Sequence, residues 1–187
     1  MTGTGTAAPS GREYPSRPIV GVGGVVFIGG RVLLIKRRFE PLAGRWSLPG
    51  GALELGETLA EGLAREMQEE TSLDVAVGPV VEVFDRITRD EAGRVRFHYV
   101  LVDFLCTVRA GTPAAGSDVA EVALVEMGEL ARYELTPRTI EVIGRARGLA
   151  GGPCSQAGST RRLTAPGRAP PPPSPGRRSA TGTPRCR

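Results

Sequence analysis

The sequence predicts an α/β (α+β) fold in which a mixed β-sheet is packed between helices, and three observations carry that prediction. Apolar, β-branched runs at residues 19–28, 31–38, 73–88 and 95–108 read as strands. A run with helical period, residues 58–71, falls between the second and third of them. A second helical run, residues 137–147, closes the patterned region behind one more candidate strand at 119–125. Strands on either side of a helix, closed by a further helix, fit an α/β/α arrangement of layers.

Each element has a local reason. Ile19 to Ile28 is β-branched and apolar, Gly29-Gly30 is a turn, and Arg31 to Arg38 (RVLLIKRR) is the partner strand of a hairpin. Phe39 to Leu48, with Pro41 and Gly44, reads as a loop. Thr58 and Glu61 have the spacing of a capping box, which fixes the start of the first helix. Leu59, Leu63 and Met67, with Ala60 and Ala64 beside them, fill an arc of about 140° that serves as its buried face. Leu73 to Thr88 and Val95 to Val108 flank a turn at Asp90-Glu91-Ala92-Gly93. Gly128 to Tyr133 reads as helical. Pro137 to Arg147 does too, with Pro in its first turn and Gly148 just past its end.

Charge divides the chain more usefully than its 187-residue length, which suits one ordinary domain. All 20 acidic residues lie at or before Glu141 and 17 of the 24 basic ones at or before Arg147, so residues 1–147 carry a net −3. The remaining seven are arginines between Arg161 and Arg187, which give residues 148–187 a net +7. The overall +4 therefore belongs to the tail, which argues against reading the body as a basic nucleic-acid binder. The expected organisation is a flexible leader at 1–16, a globular domain at 17–147 and a basic tail at 148–187. That tail is rich in Pro, Gly and Arg, with too little apolar surface to offset the entropy of ordering it. No apolar run approaches the roughly 18–20 residues that cross a bilayer, and residues 1–18 have no signal-peptide core. Three widely spaced cysteines make neither a disulfide framework nor a zinc site. The expectation is a cytoplasmic protein with no membrane partner. His98 is the single histidine and reads as structural, so a metal site here must be built from carboxylates.

The informative stretch is Gly50-Gly51-Ala52-Leu53-Glu54-Leu55-Gly56-Glu57-Thr58 leading into the first helix. Glu66, Glu69 and Glu70 occupy an arc of about 100° that borders the apolar face instead of opposing it. Glu61–Arg65 and Arg65–Glu69 are i,i+4 pairs that would hold Arg65 in place. Three carboxylates on one side of two turns repel one another unless something positive stands between them. Oxygen-only ligands suit hard Mg²⁺, with Mn²⁺ as substitute, rather than zinc.

This stretch resembles the Nudix box, G-x5-E-x7-R-E-U-x-E-E-x-G-U with U apolar. Gly51, Glu57, Arg65, Glu66, Met67, Glu69, Glu70 and Leu73 match it. Ser72 departs from it, standing where the pattern has the Gly that ends the helix. The similarity runs over roughly residues 18–145 and stops before the tail. The resemblance implies a Nudix-type fold and a Mg²⁺-dependent hydrolase of a pyrophosphate bond in a nucleoside diphosphate linked to another moiety. By the same resemblance, Glu66, Glu69, Glu70 and the Gly51 carbonyl would hold the metal, and Glu57 would lie near it through water. Arg65 would orient the glutamates. One of these acids, or one outside the box, would deprotonate the attacking water, with Glu121 the best fit among later residues and Asp118 next. Arg37 and Arg38 stand where related proteins place a substrate-contacting arginine, and arginine suits phosphate. Trp46 is a candidate base-stacking platform or core anchor.

An ADP-ribose-like substrate is favoured by the body length and the strand pair around residues 90–104. A nucleoside triphosphate is second. A non-catalytic nucleotide-sensing module is disfavoured by the intact Glu66, Glu69 and Glu70. The implied partner is a nucleotide-type small molecule, with nucleic acid engaged only weakly through the tail and homodimerisation left open.

Overall fold

The strand Ile19–Ile28 (β1) divides its side chains between two cores, and that division organises the domain. Val22 and Val26 are buried on one face against Leu63 and Met67, whereas Val25 is buried on the other with Val142, Ile143 and Ala146. The first helical run therefore covers one side of the sheet and the last covers the other. The computed structural model describes residues 12–39 and 42–151. The tail from residue 152 onward, the leader up to residue 11, and Glu40-Pro41 lie outside the described residues.

Seven strands form one mixed sheet. β1 turns through Gly29-Gly30, both with positive φ, into Arg31–Arg37 (β2). β2 pairs antiparallel with β1, with the two-residue Trp46–Ser47 (β3) and with Val119–Val125 (β7). Gly50–Ala52 (β4) pairs antiparallel with β1. Asp74–Arg89 (β5) and Val95–Ala110 (β6), 16 residues each, form a long antiparallel hairpin. β6 runs parallel to β1 from Ile19↔Tyr99 to Val26↔Cys106. The expected mixed sheet between helices is what the chain forms. The loop expected at 39–48 contains β3, and the Gly-rich lead-in to the helix contains β4. Two- and three-residue strands are too short to leave an alternating pattern in the sequence.

The first helix, Leu59–Thr71 (α1), buries Gly62, Leu63, Met67, Glu70 and Thr71. Leu59 packs at the edge of that core, while Ala60, expected on the buried face, is exposed. Its place is taken at the far end by Glu70 and Thr71, so the buried stripe runs directly into the acidic one. Leu63 and Met67 are fully buried, and truncating either to Ala would cost about 2–5 kcal/mol. Met127–Tyr133, expected as helical from Gly128, is a 3-10 helix with Leu130 buried. The last helix, Pro137–Gly151 (α2), runs through Gly148, where the sequence pattern placed its end. One Gly inside a helix costs about 1 kcal/mol and does not stop it.

Part of the expected leader is engaged. The Tyr14 N–H donates to the Arg96 carbonyl at 2.8 Å, the Tyr14 hydroxyl donates to Asp90 at 3.1 Å, and Glu13 pairs with Arg96 at 2.7 Å. Residues 13 and 14 are thus fastened to the β5–β6 hairpin.

Candidate active site

The acidic stripe is positioned from the start of α1. The Thr58 hydroxyl accepts from the Glu61 N–H at 3.3 Å, and the Glu61 carboxylate accepts from the Thr58 N–H at 2.8 Å, completing the expected capping box. Glu61 is committed to that cap, and its carboxylate takes part in no ion pair with Arg65 among the described residues. Fixing the first turn fixes the rotation of the helix, and with it the direction in which Arg65, Glu66, Glu69 and Glu70 leave the backbone.

Arg65 gathers the acids around itself. Its Nε donates to Glu57 Oε1 at 2.6 Å and its Nη2 to Glu57 Oε2 at 3.0 Å, a bidentate grip. Its Nη1 donates to Glu66 Oε1 at 2.9 Å and to Glu69 Oε2 at 3.2 Å, and its Nη2 reaches the Ala52 carbonyl at 3.3 Å. The Arg65 hydrogen bonds, helped by the Glu54 N–H at 2.9 Å, bring Glu57 down to a pKa of about 2. The same contact with Glu57, opposed by burial and reinforced by Glu66, raises the pKa of Arg65. Arg65 is therefore a permanent cation at the centre of three carboxylates.

A second arginine holds the remaining acid. Arg37 Nη1 donates to Glu70 Oε1 at 3.0 Å. Its Nη2 donates to the Gly50 carbonyl at 2.5 Å and the Leu48 carbonyl at 3.4 Å, and its Nε to the Ser47 hydroxyl at 3.2 Å. Glu70 Oε2 accepts from the Gly50 N–H at 2.7 Å. Burial nevertheless pushes Glu70 up to about 7, the Arg37 charge and the Gly50 N–H opposing the rise. Glu66 is raised for the same first reason, with Arg65 opposing. Buried Glu70 and half-buried Glu66, both held above the ordinary range, are carboxylates that a further cation would relieve.

The two glycines of β4 admit this arrangement. Gly50 has φ 135, and a Cβ there would overlap the Val22 carbonyl. A Cβ on Gly51 would overlap the Glu66 carboxylate, so the acid lies directly against the backbone of β4. The side chains gathered at this point, Glu66, Glu69 and Glu70, offer only oxygen as donor. Such a set fits a hard divalent cation with water completing the shell. Among the described residues no three acids converge as a ready cluster, and the Arg37 and Arg65 guanidiniums stand among them.

The other sequence candidates fall in different places. Arg38 lies at the end of β2, exposed, with its backbone N–H on the Asp118 carbonyl at 3.1 Å and Nη2 on the Val119 carbonyl at 3.2 Å. Trp46 sits opposite Lys36 in register, on the face of β2 away from Arg37 and Ser47. Its ring meets Tyr133 edge-on at 5.0 Å and packs against the α2-side core, the anchor alternative. Glu121 does not join the glutamates of α1. It pairs with Lys36 at 2.8 Å, on the same face as Trp46. A bulge between Lys36 and Arg37 sets Arg37 against Val119, and it is Asp118 whose charge acts on Glu70. His98 lies on β6, 4.0 Å from Asp85. Ser47 and Gly50, both contacts of the Arg37–Glu70 pair, were missed as site residues. A strand as short as β3 leaves no alternation in the sequence that would have found Ser47.

Residues 17–145 match the NUDIX domain. The chain belongs to the Nudix family. Its sequence is 35% identical over 113 residues to an ADP-ribose pyrophosphatase of Methanocaldococcus jannaschii, covering 60% of this chain and 64% of that relative. A MutT-like protein of Streptomyces ambofaciens is 35% identical over 122 residues, 64% of this chain and 72% of its own length. Among solved structures, the MutT Nudix hydrolase of Burkholderia pseudomallei aligns with a TM-score of 0.59 at 28% identity, over 70% of this chain and 98% of that one. The Nudix match and the mixed sheet agree with the layered fold expected from the sequence. Among the described residues no helix is long and apolar enough to cross a membrane.

Proposed function

We propose that the domain hydrolyses the pyrophosphate bond of a nucleoside diphosphate linked to another moiety, that it needs Mg²⁺, and that an ADP-ribose-like molecule is its substrate. The observation that carries this reading is the gathering of Glu57, Glu66 and Glu69 on Arg65, with Glu70 beside them on Arg37. Glu66, Glu69, Glu70 and the Gly51 carbonyl are the groups that would hold the cation. When bound, it would neutralise phosphoanhydride oxygens and lower the pKa of a water. Arg65 keeps three carboxylates from splaying apart, and Arg37 fixes the fourth against β4. Asp118 is supported over Glu121 as the acid outside the box because its charge acts on Glu70, whereas Glu121 is spent on Lys36. Arg37 serves Glu70 first, which leaves Arg38 the stronger candidate for contact with a substrate phosphate.

The balance of the reaction is simple. Water adds its oxygen to one phosphorus, the bridging P–O bond breaks, and two phosphate monoesters leave. The preference for ADP-ribose rests on the name of the M. jannaschii relative. A nucleoside triphosphate is the second reading, favoured by the MutT names of the S. ambofaciens and B. pseudomallei proteins. Glu69→Gln tests the site, because Glu69 is the least buried of Glu66, Glu69 and Glu70 and its loss leaves the core intact. Turnover is expected to fall by about 10²-fold or more with unchanged far-UV circular dichroism. Wild-type turnover in E69Q would refute the assignment.

A further inference from the structure

The stretch between β6 and β7 is built against the end of α1. The Ala114 N–H donates to the Thr71 carbonyl at 3.0 Å, and the Gly116 N–H donates to the Glu70 carbonyl at 3.1 Å. These are two of the carbonyls that a helix end leaves without partners. The helix needs them covered from outside. It has no basic residue in its last turn, and Ser72, with φ 59, supplies a single N–H, to the Gln68 carbonyl.

Gly116 touches the helix where Glu69 and Glu70 leave it. A Cβ on Gly116 would overlap the Glu69 carbonyl oxygen, and it would come within 2.9 Å of the Glu69 carbonyl carbon and 3.3 Å of the Glu70 Cα. These are backbone atoms inside a helix, which cannot swing aside as a side chain would. Two residues on, Asp118 acts electrostatically on Glu70 and its carbonyl accepts from the Arg38 N–H. The segment from Ala114 to Asp118 thus links the last turn of α1 to the end of β2, from which Arg37 reaches back to Glu70.

We propose that Gly116 is a positioning residue: its bare Cα and its N–H set the height of the last turn of α1, and hence where the Glu69 and Glu70 carboxylates stand relative to Glu66. This rests on the reading of those glutamates as the hydrolytic site. A side chain at 116 would push the turn away from the loop and move both acids together. Displacement of about 1 Å in such groups costs about 10²-fold in rate, and disturbing the supports of ligand residues costs about 10–100-fold in metal affinity.

The test is Gly116→Ala, with Gly128→Ala as control because a Cβ at 128 meets nothing within 4 Å. Two quantities are read on the full-length protein: kcat and KM for the hydrolysed nucleotide, and the Mn²⁺ dissociation constant by electron paramagnetic resonance without substrate. G116A should lower kcat by about tenfold or more with KM nearly unchanged, and weaken Mn²⁺ by about tenfold. G128A should do neither. A folded G116A with wild-type kcat and Mn²⁺ affinity would overturn the proposal, and so would a lower melting temperature with both preserved. Should G116A fail to fold, amide exchange in the wild type decides. The Ala114 and Gly116 N–H groups should exchange together with the end of α1, and rapid exchange of either would overturn the proposal. If the wild type hydrolyses no nucleotide yet G116A weakens Mn²⁺, the positioning role stands and the assigned activity falls.

Discussion

Arg65 and Arg37 show how a cluster of like charges is tolerated: each acid of the site is answered by a guanidinium that is itself fixed. Arg65 was legible from its spacing on the helix, because i,i+4 neighbours meet on any helix. The partnership of Arg37 with Glu70 was not, since it joins residues 33 positions apart across two elements. Asp103 makes the opposite case, a buried acid with no cation paired to it among the described residues. Burial, and then the charge of Glu82, push its pKa up to about 6. The folded protein therefore holds this proton more tightly than the unfolded chain. Its contribution to stability is complete below about pH 4 and is lost as pH rises through about 6, a swing of about 3 kcal/mol at about 1.4 kcal/mol per unit. Urea titrations should show Asp103→Asn gaining about 2–3 kcal/mol relative to wild type at pH 8 compared with pH 3.5. A difference that is the same at both pH values would show that Asp103 does not titrate as described.

Among the elements, α1 was read almost completely from its own residues. The capping box, the Leu63–Met67 stripe and the acidic border all lie within a few turns, so local periodicity defines them. The strand partners were harder. Whether Asp118 or Glu121 faces Glu70 depends on one bulge in the pairing of β2 with β7, and a one-residue change of register reverses the faces. No local pattern encodes that. Ser72 is the single departure from the Nudix pattern, and it occupies the left-handed region where Gly is cheapest. Ser72→Gly should raise stability by about 0.5–1 kcal/mol, net of the extra freedom that Gly gives the unfolded chain, and leave kcat unchanged. Thermal unfolding checks it, and a loss of stability would mean that the Ser72 side chain contributes something its backbone does not reveal.

For the whole molecule, the division of charge seen in the sequence has a structural counterpart. Five of the 20 acids, Glu54, Glu57, Glu66, Glu69 and Glu70, lie on the border of α1 and in the loop before it, while the arginines of the tail begin at Arg161, ten residues beyond the end of α2. The layered architecture was legible because buried helices and strands impose different periods. The end of α2 was not, since one Gly is a weak stop, and truncation at Gly148 would remove helical residues. Truncation after Gly151 keeps α2 whole and should leave both kcat and melting temperature at their full-length values. A large loss of turnover would give residues 152–187 a direct part in the reaction.

The most direct measurement is the reaction itself. Purified protein is incubated with Mg²⁺ and ADP-ribose in ¹⁸O-labelled water, alongside nucleoside triphosphates, and the products are separated and weighed by mass spectrometry. The account predicts that ADP-ribose yields AMP and ribose 5-phosphate with the label in one of them, and that chelating the metal stops the reaction. Cleavage that persists without metal, or no cleavage of any phosphoanhydride offered, would contradict it.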